Sequence, residues 1–278
     1  MNIASPPTDI AAVVRFALAE DIGDGDITAS LIPETKTVIA KIISRDQGIL
    51  CGTPWVDEIF KQLDASVGID WQVAEGDSLQ NNQLIASLQG PARSILTAER
   101  TALNFLQTLS ATASQSHYYA SLVQHTDVKL LDTRKTIPGL RSAQKYAVKT
   151  GGCHNHRMGL YDAFLIKENH ISACGSIAAA ISNARSLHEE KAVEIEVQSL
   201  MELEQAIAAA ADTIMLDNFE LAAIQQAVTI NGGRAKLEAS GGIGEAELVK
   251  IAETGVDYIS IGALTKNCKA FDLSLLVD

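Results

Sequence analysis

Val128-Lys129-Leu130-Leu131-Asp132-Thr133-Arg134-Lys135 is the stretch from which the fold can be read. Its apolar part is too short for a helix and stops abruptly at charged and hydroxyl residues, so it reads as a buried strand with chemistry at its carboxyl end. The same figure recurs downstream. β-rich runs at Ala163–Ile166, Ala192–Val197, Thr213–Leu216, Ala235–Leu237 and Val256–Ile261 end in or near Lys167, Glu196, Asp217, Ser240 and Ser260. Helical patterns at Ile177–His188, Leu200–Ala211, Leu221–Val228 and Ala246–Thr254 lie between them. Alternation of this kind is the signature of parallel βαβ units. A doubly wound sheet places its ligand at one crevice. Polar endings on almost every strand favour a barrel of the TIM type, whose site collects residues from many strand ends. Six strands are counted where a closed barrel has eight, so either the barrel is incomplete or strands escape the count.

Working outward, the window from Asp132 to His170 holds seven Lys/Arg (Arg134, Lys135, Arg141, Lys145, Lys149, Arg157, Lys167) against three acids, in a chain of net charge −12. Such a concentration suggests a pocket for a polyanion rather than a solvated basic face. Pro138, Gly139, Gly151 and Gly152 interrupt the cations and read as loops. The acidic balance elsewhere argues against nucleic-acid binding, which needs a broad basic surface. The four cysteines, Cys51, Cys153, Cys174 and Cys268, show no CxxC pairing or zinc spacing. Met1–Thr8 has no leader-like pattern, and no apolar run is long enough to span a bilayer. These features lead us to expect a cytoplasmic protein without membrane or nucleic-acid partners.

The 278-residue chain has room for two domains. Upstream of the alternation, Asp9–Glu20 has helical spacing, and Asp21–Thr28 reads as a glycine turn. That turn lacks the glutamate of a calcium loop, having Ile32 in its place. Val38–Ser44, Gly48–Gly52, Asp70–Val73 and Gln83–Leu88 are strand-like, with a turn at Glu75-Gly76-Asp77. Thr53 is expected to cap a helix that has Pro54 at its first position. Pro91–Thr126 is the longest helical stretch, with Arg100 alone among apolar and small residues. The expected division is an α+β domain over 1–112, a barrel over 113–265, and a tail, 266–278, that returns to the first domain.

Several constellations carry chemistry. Ser240-Gly241-Gly242-Ile243-Gly244 follows a strand and precedes a helix, and Ile261-Gly262-Ala263 follows the last strand. Exposed backbone N–H groups in such loops bind phosphate, often after the last two strands of a barrel. Glu196 and Asp217 end successive strands. Beside a phosphate they suit Mg²⁺, or else they form salt bridges to Lys167 or Arg157. Arg134, Lys135 and Arg157 suit carboxylates, which arginine grips with a planar fork. Two other enzymes stay open on these residues. His154 and His156 with Lys167 resemble part of an amidohydrolase metal site, though later strand ends carry no further histidines. Lys167 also fits a Schiff-base aldolase. A metabolite-binding regulator is the non-enzyme alternative.

Asp132-Thr133-Arg134-Lys135-Thr136-Ile137-Pro138-Gly139-Leu140-Arg141, then Gly151-Gly152-Cys153-His154-Asn155-His156-Arg157-Met158-Gly159-Leu160, then Leu165-Ile166-Lys167-Glu168-Asn169-His170 resemble the quinolinate phosphoribosyltransferase family. The likeness extends from Glu20–Thr28 through Pro91–Gln107 to Gly255–Thr265. It implies an open α/β barrel with an N-terminal α+β sandwich domain. The reaction it implies joins quinolinate to phosphoribosyl pyrophosphate with Mg²⁺, giving nicotinate mononucleotide, pyrophosphate and CO₂. It further implies that Arg100, Thr133, Arg134, Lys135, His156, Arg157 and Lys167 hold quinolinate and nearby phosphate oxygens. Lys135, Lys167, Glu196 and Asp217 are the implied catalytic set. Glu196 and Asp217 would hold ribose and metal, and Ser240, Gly241, Gly242, Ile261, Gly262 and Ala263 the phosphate. The resemblance implies a homodimer, or a higher oligomer built from it, with Arg100 entering the partner's site. Cys153 stands where a third glycine is usual, and Lys266 where a histidine is common. The molybdenum-transport-associated pyrophosphorylase is the nearest competing family.

Overall fold

The computed structural model describes residues 5–277; the reading of Met1–Thr8 as free of a leader falls partly outside them. The chain forms two compact units, one of 1–118, 136–152 and 264–278, the other of 119–135 and 153–263. The sequence division kept 113–265 together, whereas compactness assigns Thr136–Gly152 to the first unit.

In the first unit, α1 (Ile10–Ile22) precedes β1 (Thr37–Ser44), β2 (Gly48–Ile49), α2 (Thr53–Leu63), β3 (Gly68–Trp71), β4 (Ser78–Leu79), β5 (Leu84–Pro91) and the long α3 (Ala92–Leu122). Alternation along β1 buries Ala40 and Ile42 and leaves Ile39 exposed, as a sheet with one face on a core requires. That core gathers Val14, Trp55, Ile59, Phe60, Ile85, Leu88 and Leu106. Helix α2 starts one residue earlier than expected. Gly52 is its N-cap, and the Glu75 carboxylate accepts from the backbone N–H of Gly52 (2.8 Å) and of Thr53 (2.9 Å). A distant acid therefore does the work expected of the Thr53 hydroxyl.

The window read as cation-bearing loops contains a helix, α4 (Arg141–Thr150), in the first unit. Its Lys145 is buried, so Arg141, Lys145 and Lys149 are not one exposed basic stretch. Pro138-Gly139 and Gly151-Gly152 bracket this helix as start and stop signals instead of interrupting it.

The second unit holds β6 (Lys129–Leu131), β7 (Phe164–Ile166), α5 (Glu168–Cys174), α6 (Ile177–Leu187), β8 (Val193–Val197), α7 (Leu200–Ala208), β9 (Thr213–Asp217), α8 (Leu221–Asn231), β10 (Lys236–Ser240), α9 (Glu245–Ala252) and β11 (Tyr258–Ser260). The chain ends with α10 (Ala263–Lys266) and β12 (Leu273–Val277). β12 pairs antiparallel with β1, giving a sheet of order β12-β1-β5-β3.

All six parallel strands read from the sequence are present, in the order β6-β11-β10-β9-β8-β7. The order explains the shape. β7 to β11 follow chain order side by side, yet β6 pairs with β11. A flat sheet would put β6 and β7, neighbours in sequence, at opposite edges. Curling it into a barrel brings them round and leaves one seam between them. The bridge from Leu131 to His154 lies at that seam. This is an open barrel of the TIM type, and six strands suffice because it does not close. Ser176 and Ser199 cap α6 and α7 by accepting from Ala179 N–H and Glu202 N–H, each a stabilisation of about 1 kcal/mol.

Candidate active site

Register decides which side chains face the barrel interior. In a parallel pair, residues in register share a face. Glu196 is in register with Met215, Met215 with Glu238, and Asp217 with Ser240. One face of β8, β9 and β10 thus carries Glu194, Glu196, Met215, Asp217, Glu238 and Ser240. Val193, Ile195 and Val197 alternate onto the other face and are fully buried.

At the carboxyl ends, the loops after β9 and β10 press together. Gly241 has φ +111, and a Cβ there would lie 2.2 Å from Asn218 Oδ1. Asn218 sits at φ 55, its N–H donates to Ser240 O (2.9 Å), and its Nδ2 donates to Asp217 Oδ2 (2.8 Å). Glycine at 241 is therefore a steric requirement. An open cleft of ≈ 330 Å³ beside these loops is lined by Asn218, Ser240, Gly241, Gly242 and Lys250 among others. At the start of α9 the N-cap amide is already taken, Glu247 accepting from Gly244 N–H (3.1 Å). The backbone at Gly241 and Gly242 is what the cleft offers. After β11, Ile261 donates its N–H to Leu131 O (2.8 Å) and buries its side chain, so its amide fastens β11 to β6 and is not available to phosphate. Gly262 beside it lies against Lys135: a Cβ there would come 3.2 Å from Lys135 Cδ and 3.9 Å from its Nζ.

The cations gather at the same end. Thr133 Oγ1 accepts from Lys135 N–H (3.1 Å), shaping the turn that presents Arg134 and Lys135. Arg157 donates from Nη1 to Ala163 O (3.1 Å), while its Nε is buried without a hydrogen-bond partner. Burial, then the Arg134 guanidinium, lowers the Arg157 pKa from its ordinary value. Two cations held together this way favour an anion between them. Lys167 ends β7 and forms an ion pair with Glu196. Its backbone N–H donates to His170 Nδ1 (3.0 Å).

Asp132 and the two histidines turn out otherwise than read. Asp132 is fully buried and accepts from Asn155 Nδ2 (2.6 Å) and His156 N–H (2.9 Å), so it holds the following segment in place. His154 and His156 do not form a ligand pair. His154 is exposed, and the His156 ring turns inward, its Nε2 3.0 Å from Glu194 Oε2 and 3.6 Å from Glu238 Oε2. Burial, then the Glu194 carboxylate, pushes the Glu238 carboxyl well above the usual range. Sequence reasoning missed Glu194 and Glu238. The alternation in Val193-Glu194-Ile195-Glu196-Val197 was the available signal, because it places both glutamates on one face.

The second unit thus brings together Thr133, Arg134, Lys135, His156, Arg157, Lys167, Glu196, Asp217, Ser240, Gly241, Gly242 and Gly262, with Ala263 next in chain. Arg100 belongs to the first unit and is exposed on α3. Cys153 is buried and absent from the positive-φ positions, so replacing glycine there carries no backbone strain. Lys266 is exposed at the end of α10.

An open barrel with cations, paired carboxylates and glycine loops at its carboxyl ends defines an enzyme acting on anionic, phosphorylated substrates. Comparison narrows the class. The family model for the quinolinate phosphoribosyl transferase N-terminal domain matches residues 26–110, and that for the C-terminal domain matches 112–276. The chain belongs to the quinolinate phosphoribosyltransferase family. It is 41% identical over 257 residues to the probable nicotinate-nucleotide pyrophosphorylase [carboxylating] of Bacillus subtilis, covering 92% of this chain and 89% of that one. It is 37% identical over 296 residues to quinolinate phosphoribosyltransferase [decarboxylating] 1b of Nicotiana tabacum, covering 99% and 84%. The solved nicotinate-nucleotide pyrophosphorylase of Francisella tularensis superposes with TM-score 0.96 at 51% identity, covering 100% and 99%.

Proposed function

We propose that the carboxyl-end residues divide the labour of the family's reaction: transfer of the phosphoribosyl group of phosphoribosyl pyrophosphate to quinolinate, releasing pyrophosphate and CO₂ and leaving nicotinate mononucleotide. Thr133, Arg134, Lys135, Arg157 and Lys167 take the two quinolinate carboxylates and hold the ring nitrogen against the ribose carbon. The observation that carries this is the buried, unpartnered Nε of Arg157 beside Arg134, since a buried donor of that kind is completed by an anion. Gly241, Gly242 and Gly262 receive the phosphate, with Lys135 alongside.

Glu196 and Asp217 are a donor set that suits Mg²⁺, which takes one or two carboxylates and completes its shell with water and substrate oxygens. They end neighbouring strands on one face of the sheet, as such a set requires. Mg²⁺ held by Glu196 and Asp217 would offset the charge of the leaving pyrophosphate. The protein residues themselves stabilise positive charge at the ribose carbon through the two carboxylates.

A homodimer with Arg100 entering the partner's site completes the reading. In its support, Arg100 is exposed in the first unit, which also exposes the large apolar side chains of Phe16, Ile27 and Leu31, at 71%, 87% and 83%. No described helix is long and apolar enough to cross a membrane. Four free cysteines suit the reducing cytoplasm, where we place the enzyme.

Purified protein with quinolinate, phosphoribosyl pyrophosphate and Mg²⁺ should give nicotinate mononucleotide and one CO₂ per turnover. Nicotinate should be a very poor substitute, and EDTA should stop the reaction until Mg²⁺ or Mn²⁺ is restored. Equal use of nicotinate would overturn the assignment of the cations, and full activity in EDTA that of Glu196 and Asp217.

A further inference from the structure

Three polar side chains inside the barrel have no part in the scheme above. Glu238 is 1% exposed and Glu194 8%, and one oxygen of each, Oε1, is buried without a hydrogen-bond partner. His156 Nε2 faces both carboxyls, at 3.0 Å and 3.6 Å. The donor atoms of the three residues lie within 4.8 Å of one another, which also fits a metal ion.

The other ring nitrogen decides between metal and proton. Arg157 N–H donates to His156 Nδ1 at 2.8 Å. Nδ1 must therefore present a lone pair, and the single proton of a neutral imidazole sits on Nε2. That proton points at the glutamates. A metal on Nε2 would have to displace it and make an imidazolate. An imidazolium would lose the bond to Arg157, because Nδ1 would then carry a proton too. Two carboxyls this close and this buried do not both ionise. Glu194 lies nearer the Nε2 proton (3.0 Å against 3.6 Å) and Glu238 is the more deeply buried, and burial raises its carboxyl, so Glu238 is the neutral one.

The geometry points to Glu238 as a positioning residue. As a neutral acid it donates to the Glu194 carboxylate, which accepts from His156 Nε2–H, so that Nδ1 stays open to anchor the Arg157 backbone. The chain of contacts runs from the middle of the barrel to the residue that grips the substrate. It fixes the Arg157 backbone, which the guanidinium's own hydrogen bond to Ala163 O does not. The inference rests on the reading of Arg157 as a carboxylate binder.

The test uses the full-length protein labelled with ¹⁵N-histidine. Correlation spectra at neutral pH, with His156→Asn for assignment, should show the His156 proton on Nε2. Glu238→Leu removes the donor, leaves the Glu194 carboxylate to His156 alone of the two and should shift His156 towards imidazolium, raising the quinolinate KM about tenfold or more with a smaller change in the phosphoribosyl pyrophosphate KM. Glu238→Gln keeps a neutral donor and acceptor, and should restore both the tautomer and the KM. A wild-type proton on Nδ1 overturns the proposal even if the leucine variant does not fold. One equivalent of zinc bound to wild type and lost in His156→Asn overturns it in favour of a metal site. If the tautomer responds as stated while Arg157→Ala leaves the quinolinate KM unchanged, the chain of contacts stands and the role of Arg157 falls.

Discussion

The two ends of the parallel sheet use the same kinds of charge in opposite ways. At the amino ends, Asp212 precedes β9 and accepts from Val193 N–H of β8 (2.7 Å) while pairing with Arg185 (2.7 Å). Asp257 precedes β11 and repeats the arrangement, accepting from Leu237 N–H of β10 (2.9 Å) and pairing with Lys236 (2.6 Å). Each aspartate fastens a neighbouring strand by its backbone and takes one cation. At the carboxyl ends, Arg157 keeps a buried donor without a partner and the glycine loops present bare backbone. Charge at one end is spent on the register of the strands. At the other it is held ready for anions.

The largest effects should come from crossing the carboxyl-end set with Arg100. Lys167→Ala and Arg100→Ala should each be nearly inactive while folded and dimeric. Dissociated and mixed, they should regain activity, because each mixed dimer carries one site with both defects and one with neither. A mixture that stays inactive although mass measurement shows mixed dimers would return Arg100 to its own subunit or to the fold alone. Next in size, Arg157→Ala should lower kcat/KM for quinolinate by roughly two orders of magnitude, on the ~2–3 kcal/mol scale of a charge-assisted pair.

The smallest effect belongs to the amino ends. Burial raises the Asp212 pKa, but the Arg185 hydrogen bond and the Val193 N–H outweigh it, so the carboxyl lies below its ordinary value. A carboxyl lowered by folding adds stability above its unfolded pKa and loses it as pH falls through the folded value. Asp212 is largely exposed and screened, so Asp212→Asn should cost only about 1 kcal/mol at neutral pH. The difference from wild type in chemical denaturation should disappear in acid. A difference that grew below pH 4 would contradict this sign.

This contrast was half legible in the sequence. All six parallel strands could be read, because short apolar runs that stop at a polar residue are hard to mistake for helices. Their carboxyl-end chemistry came with them: Lys167, Glu196, Asp217 and Ser240 stand where the pattern put them. The interior was not legible. Glu194 sits within a run that reads as buried and apolar and Glu238 just past the end of another, and only register between strands shows that they share a face inside the barrel. Arg141–Thr150 failed for a related reason. Its glycines and proline looked like interruptions of a basic loop, and burial of Lys145 on a helix depends on packing that no local pattern records. Asp132 and Ile261 looked like site residues by position, but their polar groups are taken by Asn155, His156 and Leu131.

The most direct test uses two aspartates of a single strand. Asp212 stands just before β9 and Asp217 ends it. Asp212→Asn and Asp217→Asn are the same isosteric change at opposite ends, so kcat/KM and Tm measured side by side separate fold from function. Asp217→Asn should lower kcat/KM by about a hundredfold or more and leave Tm within a degree or so of wild type. Asp212→Asn should lower Tm by a few degrees and leave kcat/KM unchanged. Equal losses of activity from the two, or a loss confined to Asp212→Asn, would contradict the assignment of the carboxyl ends to the substrates.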